Sequence, residues 1–352
     1  MNGVSLFANV GIAETYIKNH NIDIVVANEL LEKRVDFHKT NHKNCNIIQG
    51  DITNKIIFNK ILAEAKKQNC DFLLATPPCQ GMSVAGKMKE DDPRNSLIKY
   101  VIEFIKKLQP AHILIENVQG ILKTSISVNG VKTQVIDYIN NELKPLDYFI
   151  NPTLVDTADY GTPQSRKRAI FLISKFSKWE LPNKENKITV KEAISHLPSL
   201  ESEEISKIQY HYAKKHNDRH ISFLKHTPSG KTALHNEIYY PKKEDGTRIK
   251  GYSTTYKRID WDKPAPTITM ANGSVSSQNN VHPGILQEDG TYSDARVLTL
   301  KEIFILTGLP DDWHPPKWAS ENLIRQVIGE GVPPKLIDRL LTTIPREING
   351  NK

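Results

Sequence analysis

Three cysteines occur in the 352 residues, and one of them stands where chemistry is done. Cys79 follows the apolar run Phe72–Ala75 and two prolines, in Thr76-Pro77-Pro78-Cys79-Gln80-Gly81. A thiol just past a strand end, at the start of a loop or helix, is partly exposed, and its pKa can fall below about 8.5. Such a thiolate is a nucleophile; the alternative is a buried, inert thiol. Cys45 and Cys70 have no comparable setting. Glu116 follows a second apolar run, Ile113–Ile115. Burial there would raise its pKa and make it a proton donor near neutral pH, whereas a helix-capping or ion-paired Glu would do no chemistry. In Gln164-Ser-Arg166-Lys-Arg168 the two arginines share a face if the segment is extended. Their forks suit carbonyl or phosphate oxygens, or merely form a solvated basic edge. Gly81 and Gly86 flank a small polar loop containing Ser83 and Lys87, able to move over a substrate.

A second group of residues suits a nucleotide. Phe7-Ala-Asn-Val-Gly11 ends the first strand, and a glycine in a strand-to-helix turn lets backbone approach a ligand closely. Glu29 comes 18 residues later, a spacing that suits ribose hydroxyls. Asp51, in Gly50-Asp51-Ile52, could meet an adenine amino group. A plain turn glycine and a solvated helix start remain the alternatives for Gly11 and Glu29.

These residues need a frame. Val4–Phe7, Ile24–Ala27, Phe72–Ala75 and Ile113–Ile115 read as short buried strands, each followed by a loop rich in Gly, Pro, Asn or Asp. After Asn95, the residues Leu97, Val101, Phe104, Ile105 and Leu108 recur at helical spacing, and Pro110 closes the segment. Alternating strands and helices predict an α/β fold with a parallel sheet, whose ligands sit beyond the carboxyl ends of the strands. Two further strands are expected at Phe149–Val155 and Arg168–Ser174. Residues 1–175 read as the first part of a catalytic domain, 176–295 as a smaller, loop-rich domain, and 296–352 as a return to the first. Thr299-Leu-Lys-Glu302 has capping-box spacing with Gly308 as its stop, and a last helix is expected over Lys335–Thr343.

Composition narrows the function. With 25% charged and 38% hydrophobic residues the chain is an ordinary globular one. Three cysteines exclude a disulfide scaffold and a four-cysteine zinc site. No apolar run approaches the roughly 20 residues that span a bilayer, and MNGVSLFANV carries no signal-peptide pattern, so a cytoplasmic location is expected. Lys+Arg exceeds Asp+Glu by 47 to 40, an excess that favours a polyanionic partner.

Taken in order, the motifs resemble those of the cytosine-5 DNA methyltransferases of restriction–modification type. Phe7–Gly11, Glu29 and Asp51 resemble the cofactor-binding motifs, Pro77-Pro78-Cys79-Gln80 the catalytic loop, and Asp92-Pro-Arg94-Asn-Ser-Leu97 the element after it. Glu116-Asn117-Val118 and Gln164-x-Arg166-x-Arg168 resemble the proton-donor and cytosine-clamping motifs. Arg296-x-Leu298-Thr299-x-x-Glu302 and the stretch from Ile328 to Pro334 resemble the last two. The likeness spans both ends of the chain and omits only about 176–260.

The resemblance implies a Rossmann-like methyltransferase domain with a target-recognition domain, using S-adenosylmethionine on double-stranded DNA. Cys79 would attack cytosine carbon 6, Glu116 would support ring nitrogen 3, Arg168 would hold the carbonyl oxygen and Arg166 would steady the loop. Phe7, Gly11, Glu29, Asp51, Ile52, Pro78, Leu97 and Glu330 would form the cofactor pocket. A base inside a duplex must flip out to be reached. Ser83, Lys87, Arg258, Thr267 and Ile268 would meet the DNA, with Thr267-Ile268 filling or holding open the gap. Action as a monomer, without a metal or a stable protein partner, is implied too. His216 and His220, four apart, have no nearby Cys or acidic cluster to complete a metal site.

Two positions depart from the family pattern. Asn9 stands where a glycine is usual, and Asn tolerates positive φ better than most residues. Glu330 stands where Asn is typical, which predicts a modest shift in cofactor affinity. The rivals are a transfer-RNA methylase with the same chemistry and a non-catalytic DNA-binding relative; the long basic recognition region and intact Cys79, Glu116 and Arg168 favour the DNA enzyme. A metal-dependent nuclease lacks a suitable carboxylate cluster.

Overall fold

The computed structural model describes residues 1–78 and 96–346. The chain divides into two compact units: one of residues 1–156, 167–184 and the chain from 336 on, the other of residues 157–166 and 185–335.

The first unit is a Rossmann-like α/β layer structure. It comprises β1 (Asn2–Leu6), β2 (Asp23–Glu29), α1 (Glu32–Asn41), β3 (Asn46–Gln49), α2 (Lys55–Lys67), β4 (Cys70–Ala75), α3 (Leu97–Leu108) and β5 (His112–Val118). A short ribbon of β6 (Ser125–Val128) and β7 (Val131–Gln134) leads into α4 (Val135–Leu143), and the hairpin β8 (Phe149–Asp156) and β9 (Lys167–Ser174) follows. The sheet order is β3-β2-β1-β4-β5-β9-β8. The first five strands run parallel and are covered on both faces, which is why β1, β4 and β5 read as unbroken apolar runs. β9 and β8 add antiparallel, because a hairpin reverses direction where a helical crossover would not. On α3 the apolar stripe buries Ile98, Val101, Ile102, Phe104 and Ile105 against this sheet.

Register decides what meets at the strand ends. Leu6 pairs with Asn28 and with Ala75, and Ala75 pairs with Ile115. Phe7 and Thr76 therefore leave their strands level with Glu116, which is still on β5, and Glu29 lies one residue past the partner of Leu6.

The second unit contains α5 (Val190–Ile194), α6 (Asp218–Lys225), α7 (Leu300–Thr307) and α8 (Glu321–Glu330) among long loops; α9 (Pro334–Leu341) leads out of it. Residues 296–335, expected to rejoin the first unit, lie in the second, and only the chain from 336 returns, where the Trp179 indole donates to the Leu340 carbonyl at 3.1 Å. Loops cannot bury their carbonyls without partners, and here buried arginines supply them. Arg258 donates to the carbonyls of Leu224, His282, Ser293 and Asp294, and Arg325 to those of Asn272 and Leu298. The capping box is formed in full: Thr299 N donates to Glu302 Oε2 at 2.7 Å and Glu302 N to Thr299 Oγ1 at 3.2 Å. Gly308, at φ 80°, ends α7. No helix among the described residues is long and apolar enough to cross a membrane.

Candidate active site

The turn after β1 is built from unusual backbone. Phe7 (φ 60°), Asn9 (φ 51°) and Gly11 (φ 81°) all lie in the left-handed region, where Gly and Asn are tolerated and Phe is not. Such strain persists where surrounding bonds hold it. Asn9 N donates to Glu29 Oε2 at 3.0 Å, Leu31 N to Glu29 Oε1 at 3.0 Å, and Thr76 Oγ1 to the Phe7 carbonyl at 3.0 Å. The Asn28 amide ties β2 to the next strand end by donating to the carbonyls of Ile48 and Gly50. Glu29 is buried with a carboxylate oriented by two backbone N–H groups, and Asp51 is exposed, its Oδ1 accepting from Thr53 N at 2.8 Å. Ile52 is buried, Pro78 exposed, and Leu97 half-buried at the first turn of α3. Leu30, directly after Glu29, is 56% exposed despite its apolar side chain. An exposed leucine flanking a buried acid at a strand end is an apolar wall of the kind an adenine ring needs; an apolar residue between the acid and the helix start was the available sequence signal. The donor set therefore fits an adenosine-type cofactor: an oriented acid for ribose, a second acid, a close-approach turn and apolar walls.

The next two strand ends carry the polar pair. Arg168 Nε lies 2.7 Å from Glu116 Oε1, both largely buried, and Arg168 Nη1 donates to the Lys167 carbonyl. The antiparallel register makes this possible, since Arg168 pairs with Val118 two residues beyond Glu116. Asn117 turns across the same edge and donates to the Pro77 carbonyl at 3.0 Å, anchoring the exit of β4. Cys79, Ser83 and Lys87 lie outside the described residues.

Gln164 and Arg166 do something different from Arg168. β9 begins at Lys167, so Arg166 is not on the strand face it was expected to share, and it belongs to the second unit. It is buried and donates to the carbonyls of Ile268, Gly329 and Glu330 at 3.0, 2.9 and 3.2 Å. Gln164 Oε1 accepts from Ile268 N, and Thr267 Oγ1 donates to the Ser165 carbonyl. The motif is thus a brace holding residues 267–268 and the end of α8. Glu330 sits at that end within the second unit, its carboxylate 3.5 Å from the Gln326 amide.

Two of the expected DNA contacts, Arg258 and Ile268, are buried within the second unit. Arg258 is 0% exposed, its guanidinium consumed by loop carbonyls. Ile268 is 3% exposed, its backbone held on both sides. His216 Nε2 accepts from Val297 N, and burial first, then neighbouring cations, lower its pKa to about 4. We expect Arg258→Ala to unfold the second unit by about 3 kcal/mol or more, through several unmet carbonyls, with no change in the salt dependence of DNA binding by the folded fraction; denaturant melts and binding at several salt concentrations read the two effects separately.

The sequence matches the family model described as C-5 cytosine-specific DNA methylase over residues 1–346. The chain belongs to that family. This methylase is 48% identical over 351 residues to the Type II methyltransferase M1.HgaI of Avibacterium volantium, covering 98% of both chains. It is 26% identical over 348 residues to M1.HphI of Haemophilus parahaemolyticus, covering 97% of this chain and 86% of that one. Among solved structures it resembles a putative prophage-encoded DNA modification methyltransferase of E. coli, with TM-score 0.69, 22% identity and coverage of 97% and 98%. It also resembles a mutant DNMT2 of Spodoptera frugiperda, with TM-score 0.66, 16% identity and coverage of 97% and 99%. The methylase uses S-adenosylmethionine as methyl donor and DNA as substrate.

Proposed function

We propose that this chain is the modification half of a restriction–modification pair, methylating carbon 5 of one cytosine within a specific duplex sequence through a covalent Cys79 adduct. Membership in the DNA cytosine methylase family and the full-length likeness to M1.HgaI support the assignment. The 2.7 Å pair of Glu116 and Arg168 is the observation that carries the chemistry.

Cytosine carbon 5 is a poor nucleophile until carbon 6 is attacked. The Cys79 thiolate adds to carbon 6, and the electron pair shifts toward ring nitrogen 3, where Glu116 donates a hydrogen bond or proton. Arg168 orients Glu116 through Nε, and the remaining N–H groups of its fork take the cytosine carbonyl oxygen. The bound cofactor supplies the methyl group to carbon 5. Loss of the carbon-5 proton to a base, for which water suffices, returns the electron pair and expels the Cys79 sulfur. Phe7, Glu29, Leu30 and Asp51 hold the adenosine, with Ile52, Pro78 and Leu97 lining the pocket. Gln164 and Arg166 act as positioning residues for residues 267–268. In this proposal the enzyme acts in the cytoplasm and as a monomer, a single catalytic unit sufficing for one flipped base.

DNA is held, in this reading, by the lysine-rich surface of residues 217–256. A cavity of about 550 Å³ there is lined by Arg219, Tyr239, Tyr240 and Lys242, among others, and Arg248 stacks 3.5 Å from the Tyr240 ring. Lys242→Ala with Arg248→Ala should weaken binding and flatten the log K–log salt slope by about 0.9 for each phosphate no longer neutralised; an unchanged slope would move the DNA face elsewhere. Bisulfite sequencing of DNA from cells expressing the protein tests the function as a whole. One recurrent sequence with a conversion-resistant cytosine is expected, and methylation confined to RNA would overturn it.

A further inference from the structure

The first unit contains a buried cluster that methyl transfer does not use. Glu14 ends the short turn Ile12–Glu14 that follows Gly11, and is 4% exposed. His38 lies on α1 with no exposure, and His42 caps that helix one turn later. The four-residue spacing brings both rings to one side, with centroids 4.6 Å apart. His38 Nε2 is 3.0 Å from Glu14 Oε2, and His42 Nδ1 is 3.9 Å from the same oxygen. One ligand atom from each residue lies within 4.8 Å of the others.

A hydrogen bond between His38 and Glu14 accounts for only part of this arrangement. Glu14 Oε1 and His38 Nδ1 are buried without a hydrogen-bond partner. The other nitrogen of His42, Nε2, sits 3.1 Å from the Gly11 carbonyl. That contact is the outer hydrogen bond a metal-bound histidine makes, and it selects the tautomer with Nδ1 free to ligate. Ligand atoms on a tetrahedral zinc ion lie about 3.3 Å apart, given bonds of about 2.0–2.2 Å. The 3.0 and 3.9 Å separations bracket that value.

We propose that Glu14, His38 and His42 bind a zinc-class divalent cation, with water in the fourth position, and that the ion clamps α1 to the Gly11 turn. Two imidazoles and one carboxylate select a borderline transition metal over magnesium or calcium, which take all-oxygen sites. The clamp acts through the backbone of the turn and touches neither the methyl group nor the base.

The test uses the full chain, stripped with chelator and dialysed, then titrated with zinc chloride, and separately with magnesium chloride. Wild type should retain about one zinc per chain by elemental analysis, as a single structural site demands. Its Tm should rise by about 5 °C or more at zinc near a hundredfold Kd, with no response to magnesium. Glu14→Gln and His42→Ala should lose both responses, whereas zinc caught by the Cys79 thiol would survive in them. Wild type that retains no zinc, or variants that bind as much as wild type, would overturn the site. Should both variants fail to fold, cobalt substitution of wild type decides: a tetrahedral visible absorption band that zinc displaces upholds the site, and its absence sinks it.

Discussion

Replacing Cys79 with alanine is expected to lower methyl transfer by at least about 10⁴-fold, on the scale of other nucleophile deletions, while DNA and cofactor affinities stay near those of the wild type. A loss of that size is about 5.5 kcal/mol of transition-state stabilisation. The expectation rests on what the other strand ends can and cannot do. In the proposed mechanism Glu116 and Arg168, paired at 2.7 Å, polarise the pyrimidine ring from nitrogen 3 and the carbonyl oxygen, yet neither adds electrons to carbon 6. Without that addition carbon 5 stays unreactive however well the methyl group is placed. Tritium transfer from labelled cofactor to duplex DNA measures the rate. Duplexes carrying 5-fluorocytosine at the target supply an independent reading, because fluorine cannot leave as the proton does and the adduct is trapped. Wild type should form a denaturation-resistant complex and the variant none; equal methylation by both would refute the mechanism.

The second large effect concerns stability. Glu302→Ala should destabilise the second unit by about 3–5 kcal/mol, the usual cost of orphaning a buried charge. Arg296 is fully buried and forks onto both oxygens of Glu302 at 2.9 Å, while Nη2 also meets Asp294 Oδ1 at 2.7 Å. Removing Glu302 leaves Arg296 short of a partner and opens the capping box of α7 together. Acid should act on the same group. Burial opposes the charge on Glu302, but Arg296 and His282 outweigh it and lower its pKa from 4.5 to about 2. Burial, then Arg296, lowers His282 from 6.5 to about 4. Both folded values are depressed, so the unfolded chain binds more protons, and stability present above each unfolded value is lost as pH falls. Wild-type stability should therefore decline first between about pH 6.5 and 4 and then between 4.5 and 2. Urea melts across pH should show Glu302→Ala with a weaker lower phase; a parallel curve would remove Glu302 from the account.

That network shows how one motif carries two kinds of information. The spacing from Thr299 to Glu302 announces a helix start, since a capping box is a local device. Nothing local announces that Glu302 also neutralises a buried arginine. Arg258 makes the same point from the other side. Among lysines and aromatics it reads as a phosphate contact, and only the folded chain shows that its guanidinium serves three loop carbonyls and that of Leu224 near the end of α6. Gln164, Arg166 and Arg168 sit within five residues, yet the first two brace one unit while the third meets Glu116 in the other.

The linear order of residues was enough to establish the α/β sheet with its parallel part, the residues at its strand ends and the family, because apolar runs, turn residues and short motifs are set by neighbours in the chain. Tertiary structure alone decided which arginines face solvent, that Leu30 stands exposed beside Glu29, and that Glu14 meets two histidines more than twenty residues away. Those outcomes depend on register and on which carbonyls the loops leave unmet, and both arise only once distant segments are brought together.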